Sequence, residues 1–282
     1  MKLDNARVLV TGAGGGIGSA IAAELASRGA AVMLAGRDTS VLEATAASLD
    51  APRERIATVA GDLATEAGRQ RVCEAAARWH GGINVLVNNA GISDFGLFAD
   101  QPVAAIDHAV AVNLLAPLHL CHALLPTLQR HADAAVLNVG SAFGSIGYPG
   151  FATYSATKFA LRGFSEALRR ELAGTGVRVH HLAPRATRTS MNSTAVEQMN
   201  AALGVAMDTP QSVARAAREM LERDTPEAVV GWPEKFFARL NAVLPRVVDR
   251  ALLRQLPVIR RYAGEAPSPR PADGLAASPS RP

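Results

Sequence analysis

Val8-Leu9-Val10-Thr11-Gly12-Ala13-Gly14-Gly15-Gly16-Ile17-Gly18 is the stretch on which the fold turns. Three apolar residues make a strand-like run, a glycine-rich turn follows at once, and a helical pattern opens at Ile17 and continues to Arg28. Glycines permit a tight turn and close backbone approach, and the start of a helix offers N–H groups with no partner inside the helix. Strand, turn and helix in this order form a cradle for an anion, and here the expected anion is the pyrophosphate of a nucleotide. Thr11, Gly12, Gly14, Gly16, Ile17 and Gly18 are its candidate contacts.

Working outward, the same alternation recurs. Apolar runs at Val8–Val10, Ala31–Leu34, Ile56–Val59, Val85–Val87, Ala134–Val139 and Val177–Leu182 are short and nearly continuous, as in strands buried on both faces. Helical patterns separate them at Ile17–Arg28, Thr39–Leu49, Glu66–Trp79, Val103–Gln129 and Ala152–Leu172. This order predicts an α/β fold, a doubly wound parallel sheet of Rossmann-like type with right-handed crossovers, over residues 1–232. Pro184 to Thr209 has no firm periodicity and suits a lid. A helix at Pro210–Arg223 and a short strand at Ala228–Gly231 follow it. Residues 233–262 read as an amphipathic helical extension that Pro245 should kink or split. Residues 263–282, rich in Pro, Ser and Ala, are expected to be disordered.

Composition narrows the possibilities. Of 282 residues 49% are hydrophobic but only 5% aromatic, so the core must be built from Ala, Val, Leu and Ile. The net charge of +4 comes from scattered arginines without interleaved aromatics, which argues against nucleic acid as a partner. With no run of about 18 apolar residues, no membrane-spanning helix is expected. Met1 to Asn5 leads straight into the first strand with no signal-peptide core. Cys73 and Cys121 read as reduced core thiols of a cytoplasmic protein. His119-x-x-His122 has a metal-binding spacing, but its apolar setting without a completing carboxylate points to packing, and no metal is expected.

Two further features carry chemistry. In Tyr154-Ser155-Ala156-Thr157-Lys158 a spacing of four puts phenol and ammonium on one helix face. An ammonium about 4–6 Å away lowers the phenol's pKa from its ordinary ~10 and lets it exchange a proton with a substrate oxygen. The second strand ends Gly36-Arg37-Asp38. A site for NAD(H) favours a carboxylate here for the ribose 2′-hydroxyl, whereas the room at Gly36 and the charge of Arg37 suit the 2′-phosphate of NADP(H). Asp38 is the possible exception, with helix capping the better account of it.

With these motifs in place, the chain resembles the short-chain dehydrogenase/reductase family from about Ala6 to Gly231. The resemblance rests on Thr11-Gly12-x-x-x-Gly16-x-Gly18, Asp62-Leu63, Asn88-Asn89-Ala90-Gly91, Val112-Asn113, Ser141 and Tyr154-x-x-x-Lys158, in that order. It implies an NADP(H)-dependent oxidoreductase with Asn113, Ser141, Tyr154 and Lys158 as catalytic residues. Tyr154 is the implied acid/base and Ser141 the hydrogen-bonding partner of the substrate oxygen. Lys158 is implied to bind the nicotinamide ribose and depress the Tyr154 pKa, and Asn113 to hold a water that relays protons from Lys158. Asp62 is implied to contact the adenine, with Leu63 beside it, while Asn88, Asn89, Ala90 and Gly91 line the cofactor ribose and stabilise the sheet. Pro184 and Thr189 match the segment that holds the nicotinamide carboxamide, but Arg185 stands where the family commonly has Gly. Arg185 is expected to turn outward to solvent, the alternative being a cation for a cofactor phosphate or an acidic substrate group.

The substrate pocket is expected to draw on Ser93, Phe95, Ser141, Ser145, Tyr148, Tyr154, Met191 and Met199, favouring a lipophilic ketone or a 3-oxoacyl thioester. The apolar stripe of residues 233–261 is flanked by Lys235, Arg239, Arg246, Arg250 and Arg254, so it suits either packing on the domain or a neighbouring subunit, or peripheral membrane contact. Relatives implied by the resemblance pair through the helix matching Ala152–Leu172, so a homodimer or homotetramer is expected. The rival readings are a non-catalytic NADP-binding sensor or scaffold, a membrane-peripheral, lipid-handling member of the same family, and an epimerase or dehydratase.

Overall fold

The structure, a computed structural model, describes residues 1–232 and 234–265. Seven strands, β1 (Arg7–Thr11), β2 (Ala31–Gly36), β3 (Ile56–Ala60), β4 (Val85–Asn88), β5 (Ala134–Val139), β6 (Val177–Ala183) and β7 (Glu227–Val229), form one parallel sheet in the order β3-β2-β1-β4-β5-β6-β7. This is the doubly wound arrangement expected from the alternating runs. Helices α1 (Gly16–Ala26), α2 (Thr39–Ser48), α3 (Glu66–Arg78), α4 (Val103–Val110), α5 (Ala116–Leu128), α6 (Ala152–Glu171), α7 (Thr194–Ala202) and α8 (Pro210–Arg223) accompany the sheet.

Successive strand residues point to opposite faces, so the nearly continuous apolar runs feed two cores. Val8, Val10, Val32, Leu34, Val85, Val87 and Leu137 meet Ile21 and Leu25 of α1 and Val213, Ala217 and Leu221 of α8. Leu9, Met33, Leu86 and Val136 meet Val72 of α3, Leu120, Leu124 and Leu128 of α5 and Leu168 of α6 on the other face. Strand order reverses between β1 and β4, and in such sheets the crevice beyond the strand ends at that point is where ligands bind.

Several expectations need correction. The pattern Val103–Gln129 is not one regular helix: α4 and α5 are joined by a π-helical turn at Ala111–Leu115, which carries Asn113. One helical run is long and apolar enough to cross a membrane, although Asp107, Asn113 and three histidines break any run of about 18 apolar residues in it. Val103–Leu128, 26 residues, meets that test by length and composition. It owes its apolar character to packing, with Val112, Leu120, Leu124 and Leu128 buried in the domain. Pro184–Thr209 is not wholly irregular, since Ser193 caps α7 by accepting from Val196 N at 3.3 Å.

Pro245 splits the extension into α9 (Glu234–Val243) and α10 (Pro245–Glu265). α10 runs through Ala263, which is buried, so the expected disorder does not begin there; the rest of that expectation, 266–282, lies outside the described residues. α10 packs against α7, burying Ile259 with Phe151, Val196 and Met199, and Gln255 accepts from Tyr148 Oη at 3.0 Å.

Candidate active site

A cleft of about 520 Å³ opens over the β1/β4 reversal. Its floor is the glycine turn. Gly12 has φ +63°, and a Cβ there would stand 2.8 Å from Ala90 Cα, while one at Gly18 would stand 2.2 Å from Gly12 O. Thr11, itself buried, fastens this turn to β4: its hydroxyl donates to Val87 O at 3.2 Å and accepts from Asn89 N and Ala90 N, each at 3.0 Å. Asn89 Nδ2 donates to Thr11 O at 3.0 Å. No side chain caps α1 at Gly15, whereas Asp38, Thr65, Ser193 and Thr209 cap α2, α3, α7 and α8. The first-turn N–H groups of α1 are thus left to a ligand, and a pyrophosphate fits them.

Gly36, Arg37, Asp38, Asp62 and Leu63 line one end of the cleft. Asp38 is the helix cap, as expected: its Oδ1 accepts from Ser40 N at 2.8 Å, Ser40 Oγ at 2.7 Å and Val41 N at 3.2 Å. The Ser40 hydroxyl, with the two backbone donors, holds the Asp38 carboxyl below its ordinary value. Arg37 is exposed at the rim.

Tyr154 and Lys158 line the other end with Gly91, Ser93, Thr189 and Met191. Lys158 is buried, its Nζ donating to Val139 O at 3.0 Å and lying 5.6 Å from the centre of the Tyr154 ring. Burial lowers its pKa to about 8. Burial also raises the Tyr154 pKa, opposed by a hydrogen bond with Ser141. The expected depression of the phenol by Lys158 is therefore not present. Desolvation of the phenolate is the larger effect, and the ammonium faces a carbonyl oxygen and the ring. Ser141, at the end of β5, also accepts from Phe143 N at 3.1 Å.

Asn113 lies behind the cleft wall, at 1% exposure. Its Oδ1 accepts from Ile92 N at 2.8 Å, and its Nδ2 donates to Ile92 O at 2.9 Å and to Thr157 Oγ1 at 3.2 Å. The amide is thus spent on holding the Gly91–Ser93 wall. Asn88 is likewise buried away from the cleft, where it stabilises the sheet: its Nδ2 donates to Asn138 Oδ1 at 2.8 Å, and Asn138 Nδ2 to Ser165 Oγ at 2.9 Å.

Other expected contacts fall elsewhere. Pro184 is buried, and its carbonyl accepts from Ala142 N at 2.8 Å, steadying the loop after Ser141. Ser145 is 6% exposed and outside the cleft lining; its hydroxyl accepts from Arg162 Nη1 at 2.8 Å and its carbonyl from Asn241 of α9 at 2.9 Å. Tyr148, Phe95 and Met199 belong to an aromatic cluster beside Tyr154, with Tyr148 stacked on Phe143 at 4.7 Å and its pKa pushed up to about 12 by burial. Arg185 neither turns to solvent nor enters the cleft. It pairs with Asp208 at 2.7 Å and donates to Trp232 O at 2.7 Å, because Asp208 and the glycine at 231 form a receptacle for its planar guanidinium.

Sequence reasoning missed Val41, Leu42, Gly61, Ile92, Asp94, Val139, Gly140 and Ser190 among the lining residues. Asp94 matters most, being a partly buried carboxyl whose pKa burial raises. Its only signal was its place three residues beyond Gly91.

A glycine turn at a sheet's switch point and a Tyr–Lys pair across the same cleft, with the lysine buried, define a dinucleotide-binding protein with an acid/base couple. The family model for short chain dehydrogenases matches residues 6–200. The chain is 31% identical over 250 residues to the ketoacyl reductase HetN of a Nostoc species, covering 86% of each. It is 33% identical to nodulation protein G of a Rhizobium species, covering 74% of this chain and 84% of that one. Its structure is similar to that of the 3-ketoacyl-(acyl-carrier-protein) reductase of Brucella melitensis complexed with NADH, with TM-score 0.75, 27% identity and coverage of 82% and 99%. A Burkholderia phymatum short chain dehydrogenase/reductase in complex with NAD shares the fold, with TM-score 0.78 at 23% identity and coverage of 86% and 94%. The chain belongs to the short-chain dehydrogenase/reductase family and is an oxidoreductase of that type.

Proposed function

We propose that the protein is an NADPH-dependent carbonyl reductase acting on a lipophilic ketone or a 3-oxoacyl thioester. The observation that carries this reading is that Tyr154 and Lys158, with Ser141 hydrogen-bonded to Tyr154, stand at one end of a cleft whose other end presents Arg37. A bound nicotinamide dinucleotide supplies the hydride. Gly12 to Gly18 and the α1 N-terminus would hold its pyrophosphate, Asp62 and Leu63 its adenine, and Thr189 its nicotinamide. Tyr154 donates the proton to the carbonyl oxygen, and Ser141 stabilises charge developing there. Lys158 would hold the nicotinamide ribose and place a positive charge 5.6 Å from the centre of the Tyr154 ring. Asn113 fixes the Gly91–Ser93 wall beside them through its side-chain amide.

NADP(H) is favoured over NAD(H) because the Asp38 carboxylate, the natural partner of a ribose 2′-hydroxyl, is committed to capping α2 while the Arg37 guanidinium is exposed beside it. The aromatic and aliphatic cluster of Phe95, Phe143, Tyr148 and Met199 beside Tyr154 supports a lipophilic substrate, as does the similarity of the chain to ketoacyl reductases. A homodimer or homotetramer in the cytoplasm is the assembly that accompanies this reading.

NADPH oxidation over a panel of ketones, aldehydes and acyl thioesters tests it. Tyr154→Phe should lower kcat by about 10²–10⁴-fold with NADPH affinity kept; unchanged turnover removes the mechanism, and no turnover of any carbonyl favours the non-catalytic sensor. Arg37→Ala should raise the NADPH KM by at least about tenfold and leave the NADH KM nearly unchanged, as loss of a charge-assisted phosphate contact requires.

A further inference from the structure

One exposed surface is not used by the cleft chemistry. Phe236 (51% exposed), Phe237, Leu240 and Val243 (75% exposed) recur at helical spacing along α9 and continue into Leu244 (52% exposed). Trp232 stands before them at 70% exposure, and Val247 follows on the first turn of α10. Lys235, Arg239, Arg246, Arg250 and Arg254 are exposed around this apolar strip. From Trp232 to Glu265 the chain has seven Lys and Arg against three Asp and Glu.

We propose that α9 and the first turns of α10 are a docking surface for an anionic lipid bilayer. Trp232, Phe236, Val243 and Leu244 enter the headgroup boundary while the flanking arginines meet lipid phosphates. A contiguous exposed apolar patch rimmed by charge marks an interaction face. Charge decides the occupant: a second copy across a two-fold axis would bring two arginine-rich rims together, whereas an anionic leaflet neutralises them. A helix with aromatic residues on its apolar side and basic residues at its flanks lies in the interface plane. The bonds Asn241–Ser145 and Tyr148–Gln255 tie both helices to the segment that precedes α6 and Tyr154, so docking brings that side of the domain to the lipid. The proposal concerns attachment and stands whether or not the substrate reading is correct.

Flotation of the full chain with phosphatidylcholine vesicles, with and without about 30% phosphatidylglycerol, tests it, alongside sedimentation velocity. The expected result is flotation with the anionic vesicles only, weakened about tenfold or more in Arg246→Glu/Arg250→Glu. Phe236→Asp/Val243→Asp should also abolish it while unfolding at the wild-type temperature and keeping NADPH-dependent turnover of a small soluble ketone. Wild-type protein that floats with neither vesicle overturns the proposal. So does flotation that survives both double variants, or a self-association that Phe236→Asp/Val243→Asp dissolves, which assigns the surface to a second copy.

Discussion

Lys158 is 4% exposed, yet it carries the charge on which the proposed site depends. Burial lowers its pKa to about 8 from an ordinary 10.5. Below about pH 8 both folded and unfolded chains hold the proton, and the folded state bears the full cost of a buried cation. Between about 8 and 10.5 the unfolded chain binds the extra proton, so this cost is relieved as pH rises, by about 3 kcal/mol in all. Thermal unfolding of the wild type and Lys158→Met should therefore show the wild type gaining relative stability from pH 8 to 10.5. A constant difference would place the Lys158 pKa outside that window. The pair was legible because a spacing of four places two residues on one helix face. What burial does to them was not, since it depends on Val139 and the closure of β5 over the ammonium. Arg185 was misread for a similar reason: its partner Asp208 is 23 residues away in the chain.

At the scale of elements, the junction of β1 and α1 is the least tolerant. Gly18→Ala puts a methyl group 2.2 Å from Gly12 O, so α1 must shift away from the turn. It should weaken NADPH binding by more than about tenfold and cost about 1–3 kcal/mol of stability, read by fluorescence titration and denaturant unfolding. Gly163→Ala, on the exposed side of α6 with nothing within 4 Å, is the control and should stabilise by about 0.5–1 kcal/mol. All seven strands and most helices were legible because each writes its period into consecutive residues. Two features were not. α7 buries only Ala195, Val196, Met199 and Asn200, too small and polar a stripe to stand out. The π turn holding Asn113 adds one residue to a helical ring and leaves no mark in the apolar pattern.

At the scale of the molecule, the C-terminal helix covers the apolar cluster beside Tyr154. Ile259, fully buried, joins α10 to Phe151 and to Val196 and Met199, while Gln255 receives the Tyr148 hydroxyl. Ile259→Ala should loosen α10 by about 2–4 kcal/mol, seen as faster amide exchange along the helix. It should also raise KM for a bulky ketone while the KM for NADPH stays the same. Equal changes in both would mean that α10 supports the whole cleft instead. By itself the sequence determined the order of strands and helices, the glycine turn and the Tyr–Lys spacing, because these are repeats and spacings within a few residues. Only the tertiary structure decided that Asn113 is bound to the Ile92 backbone, that Arg185 is paired with Asp208, and that α10 roofs the cluster beside Tyr154. Each of those joins surfaces distant along the chain, and which surfaces meet depends on how the whole sheet and its helices pack.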